Sequence, residues 1–327
     1  MRRNRIFYCL AAWLAFSSFS AAGESVVIES PDSDFRFQLG LESWFSTGES
    51  SWQISFLEPL PRGGVIRGRS RLEWEDLDSI LYILRGEFRF TPWFSLSAAY
   101  GFGDMNDGRN TDTDWYDFPG GTFLLAQSVA DSDGDVTLFN IDAYVRLSEL
   151  YNLGQVPGHW DLVFGYRYYE EDLRDRNGLL TMLEDQPVRI PFEGLNSTYR
   201  FEWSAFRLGL RGEIPLRERV RMHAEVIGLL GVEFDGEAFW NLREDFRNEP
   251  PNFVQSATAG TGAEVRLAAA YDFTPNFYGE LGFWWFRMRA RNGTDRTFFA
   301  DGEEGRARLD WVETKRYGVG LGLGGRF

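Results

Sequence analysis

The sequence has almost no cysteine, very little histidine and no long apolar run. Its one cysteine is Cys9, and its two histidines are His159 and His223. A single thiol near the start excludes a disulfide framework, a thiolate metal centre and a cysteine nucleophile from the body of the chain. Nothing after residue 22 stays apolar long enough to cross a bilayer as a helix. No Pro/Ser/Gly-rich linker divides the 327 residues, so one large domain is expected. Positive charge is scarce as well, with 34 Lys and Arg against 49 Asp and Glu and a net charge of -15. So acidic a chain is a poor nucleic-acid binder and better suited to cationic partners.

What is present starts with an export signal. Arg2, Arg3 and Arg5 precede an apolar run from Ile6 to Phe16, and small residues lead to Ser20-Ala21-Ala22. This order predicts a signal peptide over 1–22, cleaved after Ala22. Cys9 lies inside the run and leaves with it, which argues against a lipoprotein anchor. Removing three arginines and no acids takes the net charge from -15 to -18. The remaining residues, 23–327, are 17% aromatic in the whole-chain count and alternate strongly.

The alternation has a period of two. Phe35, Phe37, Leu39 and Leu41 are interleaved with Arg36, Gln38, Gly40 and Glu42, the signature of a strand with one apolar face. A second strand runs from Val65 to Phe90, with Ile80, Tyr82, Leu84, Phe88 and Phe90 on one face and Arg85, Glu87 and Arg89 on the other. Thr91-Pro92 makes a tight turn into a third strand. Further strands are predicted near 136–149, 159–175, 197–213, 219–240, 255–273, 277–292 and 306–327. Short connections alternate with long ones, at about 50–63, 105–135, 176–196, 241–254 and 293–305. The last strand, Tyr317 to Phe327, alternates large with small residues and ends on an aromatic. Together these features predict an all-β fold, a transmembrane antiparallel up-and-down barrel of about ten strands in a bacterial outer membrane. Ten strands enclose little more than their own side chains, so an open pore is not the default.

Acid concentrates at one end of that barrel. Residues 104–135 hold eight aspartates against the single Arg109, and Asp235, Glu237, Asp301, Glu303 and Glu304 join them from other outer loops. Asp131-Ser132-Asp133-Gly134-Asp135 reads as a turn rather than a calcium loop, because Val136 takes the position an EF-hand reserves for glycine. No metal or other cofactor is expected.

The second long loop carries Asn110-Thr111-Asp112-Thr113-Asp114-Trp115-Tyr116-Asp117. An Asp-x-Asp-Trp stretch after the third strand resembles the omptins, outer-membrane endopeptidases built on a ten-stranded barrel. Gly63-Gly64 before the second strand and Thr274-Pro275-Asn276 before the ninth agree with that likeness, which spans essentially the whole mature chain. The resemblance implies a catalytic aspartate pair at Asp112 and Asp114, facing an Asp-His pair just past the seventh strand. Alignment there puts Glu237 on the aspartate position and Phe239 on the histidine position. A water activated between such pairs needs a base that works near neutral pH, which imidazole supplies. His159 and His223 are at the periplasmic end, on the order of 35 Å below Glu237. A carboxylate pair acts alone only if one member's pKa is raised, and a hydrated rim does little to raise it.

The resemblance also implies an acidic surface that selects basic peptides, with Asp235 and Asp117 contributing, and contact with lipopolysaccharide on the fifth strand. There Tyr166-Arg167-Tyr168-Tyr169-Glu170 keeps only the tyrosine of the family's Tyr-x-Glu-x-Arg stretch. The expectation is an omptin-like monomer in outer-membrane lipid, its acidic mouth suited to cationic peptides and its proteolysis lost or altered. The alternatives are an active endopeptidase cleaving at basic residues and a small porin or structural surface barrel.

Overall fold

The computed structural model describes residues 35–59, 63–147 and 158–327. The signal-peptide expectation for 1–22 lies outside these residues. Among the described residues there are twelve strands: β1 (Phe37–Pro59), β2 (Val65–Glu75), β3 (Asp78–Thr91), β4 (Phe94–Phe118), β5 (Gly121–Arg146), β6 (His159–Leu183), β7 (Gln186–Phe192), β8 (Ser197–Arg217), β9 (Val220–Phe239), β10 (Phe253–Thr274), β11 (Phe277–Phe298) and β12 (Glu304–Arg326). Sequential neighbours pair antiparallel, and β12 returns to β1 from Gln38↔Arg326 to Ser55↔Arg308, closing the ring. β2 and β3 are one wall strand interrupted at Asp76, whose φ is 54°, and both lie between β1 and β4. β7 pairs only with β6. Ten segments therefore traverse the wall, in the expected up-and-down order.

The strands are far taller than the alternation predicts. The segment 105–135, read as a loop, is a hairpin in which β4 runs to Phe118 and β5 restarts at Gly121. Likewise β1 reaches Pro59, β6 reaches Leu183 and β11 reaches Phe298. Of the predicted long connections, 240–252 between β9 and β10 is the one mostly without strand among the described residues. The physical reason is the solvent. Lipid demands an apolar outer face, so period two is visible only where the wall meets the bilayer.

That apolar band is legible on every wall strand. Leu41 and Phe45 on β1, Tyr82 and Leu84 on β3, Tyr100 and Phe102 on β4, Phe206 and Leu208 on β8, and Leu321 and Leu323 on β12 are all exposed on the outer face. Inside, the same strands carry stacked ion pairs. Arg211 bridges Glu87 and Asp161, both at 2.7 Å. Arg207 meets Asp142 and Glu225 at 2.8 Å each and also Glu264, which takes Arg167 at 2.8 Å. Higher up, Arg316 joins Glu171 at 2.9 Å and donates to the Tyr169 hydroxyl at 2.9 Å. Arg167, Arg316, Trp74 and Trp203 are fully buried. Side chains fill the lumen at these levels, as expected for so few strands.

Candidate functional site

Above the ion-pair layers the lumen is closed by aromatic rings. Trp74 of β2 packs against Tyr199 and Phe201 of β8 at 4.9 and 5.3 Å, across the barrel. Trp52 of β1 stacks on Tyr199 at 6.0 Å and meets Phe253 of β10 at 5.8 Å. Trp240 lies parallel to Phe253 at 5.7 Å. The hydroxyl of Tyr199 donates to Gln255 at 2.6 Å, and Gln255 Nε2 donates to Asp295 at 2.9 Å. Asp175 of β6 accepts from Trp74 Nε1 at 3.0 Å and from Asn110 Nδ2.

Asp112 and Asp114 stand on this floor. Directly opposite residues of an antiparallel pair point to the same face. Trp74 faces the lumen and is opposite Asn110, so Leu72 opposite Asp112 and Ser70 opposite Asp114 continue the lumen-facing row. The two aspartates are half-buried, and Oδ1 of Asp112 is buried with no protein donor among the described residues. Burial pushes the Asp112 carboxyl well above the usual carboxylate range, and the Asp114 charge raises it further, against a partial offset from Arg243. Asp114 is also raised by burial, while Ser70 and Arg243 pull it back. Asp175 and Asp295 are each raised to about 6 by burial, although the hydrogen bonds they accept favour the charged form. The rim desolvates its acids more than a hydrated loop would, because the loop is a strand wall with an aromatic floor.

The other site residues read from the sequence face away. On β9, Glu225, Ile227 and Leu229 are buried toward the lumen, and unbroken alternation would continue inward to Glu233, Asp235 and Glu237. Gly231 interrupts it. Its φ of 56° and the register shifts against β8 and β10 mark a bulge, and beyond it Val232, Phe234, Gly236 and Ala238 turn inward. Glycine suits this left-handed position because it has no Cβ to strain. Glu237 is consequently outside, paired with Arg200 at 2.6 Å, with Asp235 on the same outer face and Phe239 opposite outward-facing Thr198. Asp117 also lies outside, paired with Arg69 at 2.6 Å. The positions that do look inward, Gly236 and Ala238, carry no titratable atom. Tyr199 occupies that space, since a Cβ built on Gly236 would lie 2.6 Å from its hydroxyl.

Neither histidine reaches the mouth. His223 faces Glu213 at 3.6 Å, and His159 is the register partner of that same Glu213. This rung is at the opposite end of the wall, roughly 40 Å from Asp112 at the usual rise and tilt of a barrel strand. The cation nearest the aspartates in effect is Arg243 on the 240–252 segment, itself paired with Asp245 at 2.7 Å. Among the described residues no group of three or more His, Cys, Asp and Glu is placed to hold a metal ion. Sequence reading missed Asp175, Asp295, Gln255 and Tyr199. Strand phase extended upward would have found Asp175 and Tyr199, whereas irregularities at Ala259 and Asn292 reverse the phase before Gln255 and Asp295.

Solved structures share this architecture. The outer membrane protease OmpT from Escherichia coli matches over 89% of this chain and 96% of its own, with a TM-score of 0.73 at 15% identity. The Ralstonia pickettii toluene transporter TbuX matches over 90% of each chain, with a TM-score of 0.31 at 8% identity. The first likeness fixes the fold as an omptin-like barrel, and the second is too distant to carry an argument. No curated protein sequence matches the chain. Residues 49–327 match the family described as Pom, Protochlamydia outer membrane protein. With most of its length inside that match, a closed barrel and a lipid-facing apolar band, the chain belongs to the Pom family of bacterial outer-membrane proteins.

Proposed function

We propose that this barrel uses its acidic mouth to bind cationic peptide segments and does not hydrolyse them. One observation carries the reading: Asp112 and Asp114 share the lumen face over an aromatic floor, with Oδ1 of Asp112 buried and without a protein donor among the described residues. A desolvated carboxylate in that state gains a charge-assisted hydrogen bond from an incoming lysine or arginine. Asp175 and Asp295 deepen the negative potential from other strands. Hydrolysis by the omptin arrangement lacks its second half, because the inward positions across the mouth are Gly236 and Ala238. The porin reading is disfavoured by the buried Arg167, Arg316, Trp74 and Trp203 in the lumen.

The test uses the refolded barrel with fluorogenic dibasic peptides, with and without lipopolysaccharide. Anisotropy is expected to report binding that weakens about tenfold or more in Asp112→Asn/Asp114→Asn, with no cleavage by either protein. Cleavage by the wild type that Asp114→Asn abolishes would overturn the reading. A second reading, an endopeptidase working through the carboxylates alone, draws on the raised pKa of both aspartates. It requires turnover that is highest at acidic pH, where one carboxyl is protonated and its neighbour ionised. A flat, blank profile from pH 4 to 8 removes it.

A further inference from the structure

The outer face carries a second charged feature of opposite sign. Above the apolar band, Arg287, Arg289 and Arg291 occupy alternate positions of β11, so all three project outward while Met288 and Ala290 between them are buried. Across the β12 register they face Lys315, Glu313 and Trp311. Four cations thus share a two-strand surface with one carboxylate between them, Glu313, which takes Arg287 at 2.6 Å and Arg289 at 3.4 Å. Lys315 turns to Glu49 of β1 at 2.5 Å. Arg289 lies over the Trp311 ring at 5.5 Å, and its Nε is buried with no acceptor among the described residues. On the β10 side the register partners of Arg287 and Arg289 are Ala263 and Thr261, small and uncharged, so that flank is open.

The height of this surface identifies its ligand. Trp285 and Tyr317 are register partners one step below Arg287 and Lys315, and Phe283 below them is exposed. An aromatic pair at the top of the apolar band marks the lipid–water boundary. Arg287 and Lys315 are about 5 Å above it, at the level of a lipid's phosphate groups. Arg287, Arg289, Arg291 and Lys315 repel one another at this level, only partly offset by Glu313 and Glu49, and a bound anion relieves that repulsion.

We infer that the β10–β12 outer face is a docking site for the phosphate groups of an outer-leaflet glycolipid, with Arg287, Arg289 and Arg291 as phosphate ligands and Trp285 and Tyr317 against the acyl–headgroup boundary. Guanidinium forks match phosphate oxygens in pairs. The site is separate from the Tyr166–Glu170 stretch of β6, which β8, β9 and β10 divide from β11. It stands on the position of the lipid boundary and is independent of what the mouth binds.

The experiment uses the full refolded barrel in detergent micelles, with bis-phosphorylated lipid A, its dephosphorylated form and inorganic phosphate as separate probes. Native mass spectrometry reads the retained lipid. Wild-type barrel is expected to prefer the phosphorylated lipid, and Arg287→Gln/Arg289→Gln/Arg291→Gln to lose about a hundredfold of that affinity, about fivefold per arginine. Arg296→Gln/Arg306→Gln, changed at the β11–β12 turn, should keep it. Equal affinity for the two lipids, or full retention by a triple variant that still shows the heat-shifted mobility of a folded barrel, overturns the inference. Displacement of the lipid by equimolar inorganic phosphate also overturns it, since the site then takes any anion. If the triple variant does not fold, Arg291→Gln alone decides, with about fivefold loss supporting the site and no loss refuting it.

Discussion

The lower and upper halves of this barrel are built from the same strands but held together by different physics. In the lower half the outside is lipid, so apolar side chains face outward and the inside holds arginines and carboxylates in shared networks such as Arg207 with Asp142, Glu225 and Glu264. In the upper half the polarity inverts. Trp52, Trp74, Tyr199, Phe201 and Phe253 fill the inside, while pairs such as Arg200–Glu237 and Arg69–Asp117 decorate a hydrated outer face. The upper half is thus constructed like a water-soluble β domain raised on a membrane barrel. Asp112 and Asp114, whose carboxyls burial raises, stand where the inverted core meets solvent.

The largest effect that can break this contrast is expected in the lower network. Arg207 is 3% exposed and holds three carboxylates. Arg207→Met leaves Asp142 and Glu225 without this cation and Glu264 with Arg167 alone, and losing one partner of a buried network costs about 3–5 kcal/mol. Denaturant unfolding of the refolded protein in micelles should show that loss, or the variant should fail to refold. An unchanged midpoint would mean that water reaches this level and solvates the carboxylates in place of Arg207.

Next in size is a pH effect confined to the upper half. Asp295 is raised to about 6 from 3.8 by burial. The folded chain therefore binds this proton more tightly than the unfolded chain does. Its contribution to stability is largest below about pH 4, falls as pH rises through about 6, and stays reduced above that. At about 1.4 kcal/mol per pH unit of difference, the loss is about 3 kcal/mol. Asp295→Asn removes the titration while retaining an acceptor for Gln255. The variant should match the wild type near pH 4 and exceed it by up to about 3 kcal/mol at pH 8, measured by unfolding across that range. A constant difference at every pH would show that the carboxyl is already hydrated.

How much of this was readable in advance follows the same division. The alternation of Phe35 to Leu41, the second strand around Ile80 to Phe90 and the terminal Tyr317 to Phe327 gave the barrel and about ten traversals, because lipid imposes a strict two-residue period. Asp112 and Asp114 were singled out by the Asp-x-Asp-Trp likeness, in a segment read as a loop, since an irregularity at Asp107 reverses the phase of β4 below them. The upper strands were not legible, since a wall with water outside and aromatics inside has no fixed pattern to display. Glu237 was misplaced for a more local reason. A single left-handed glycine, Gly231, inserts one residue and reverses the phase of everything above it on β9. A glycine in a strand is compatible with a bulge, a bend or neither, so the sequence does not announce the reversal.

The smallest expected effect is the sharpest test of that reversal. Arg200 and Glu237 pair at 2.6 Å with side chains 39% and 47% exposed. Exposed pairs of this kind contribute about 0.2–1 kcal/mol. Glu237→Gln should therefore shift the unfolding midpoint very little. If Glu237 lies outside, the substitution should also leave the affinity of the mouth for a dibasic peptide unchanged, whereas Asp114→Asn, on the lumen face, should weaken it. If Glu237 instead lined the mouth, as unbroken alternation on β9 would have it, Glu237→Gln would weaken peptide binding about as much as Asp114→Asn. The two variants measured side by side separate a bulged strand from a straight one by a functional readout, without relying on a change in stability too small to resolve.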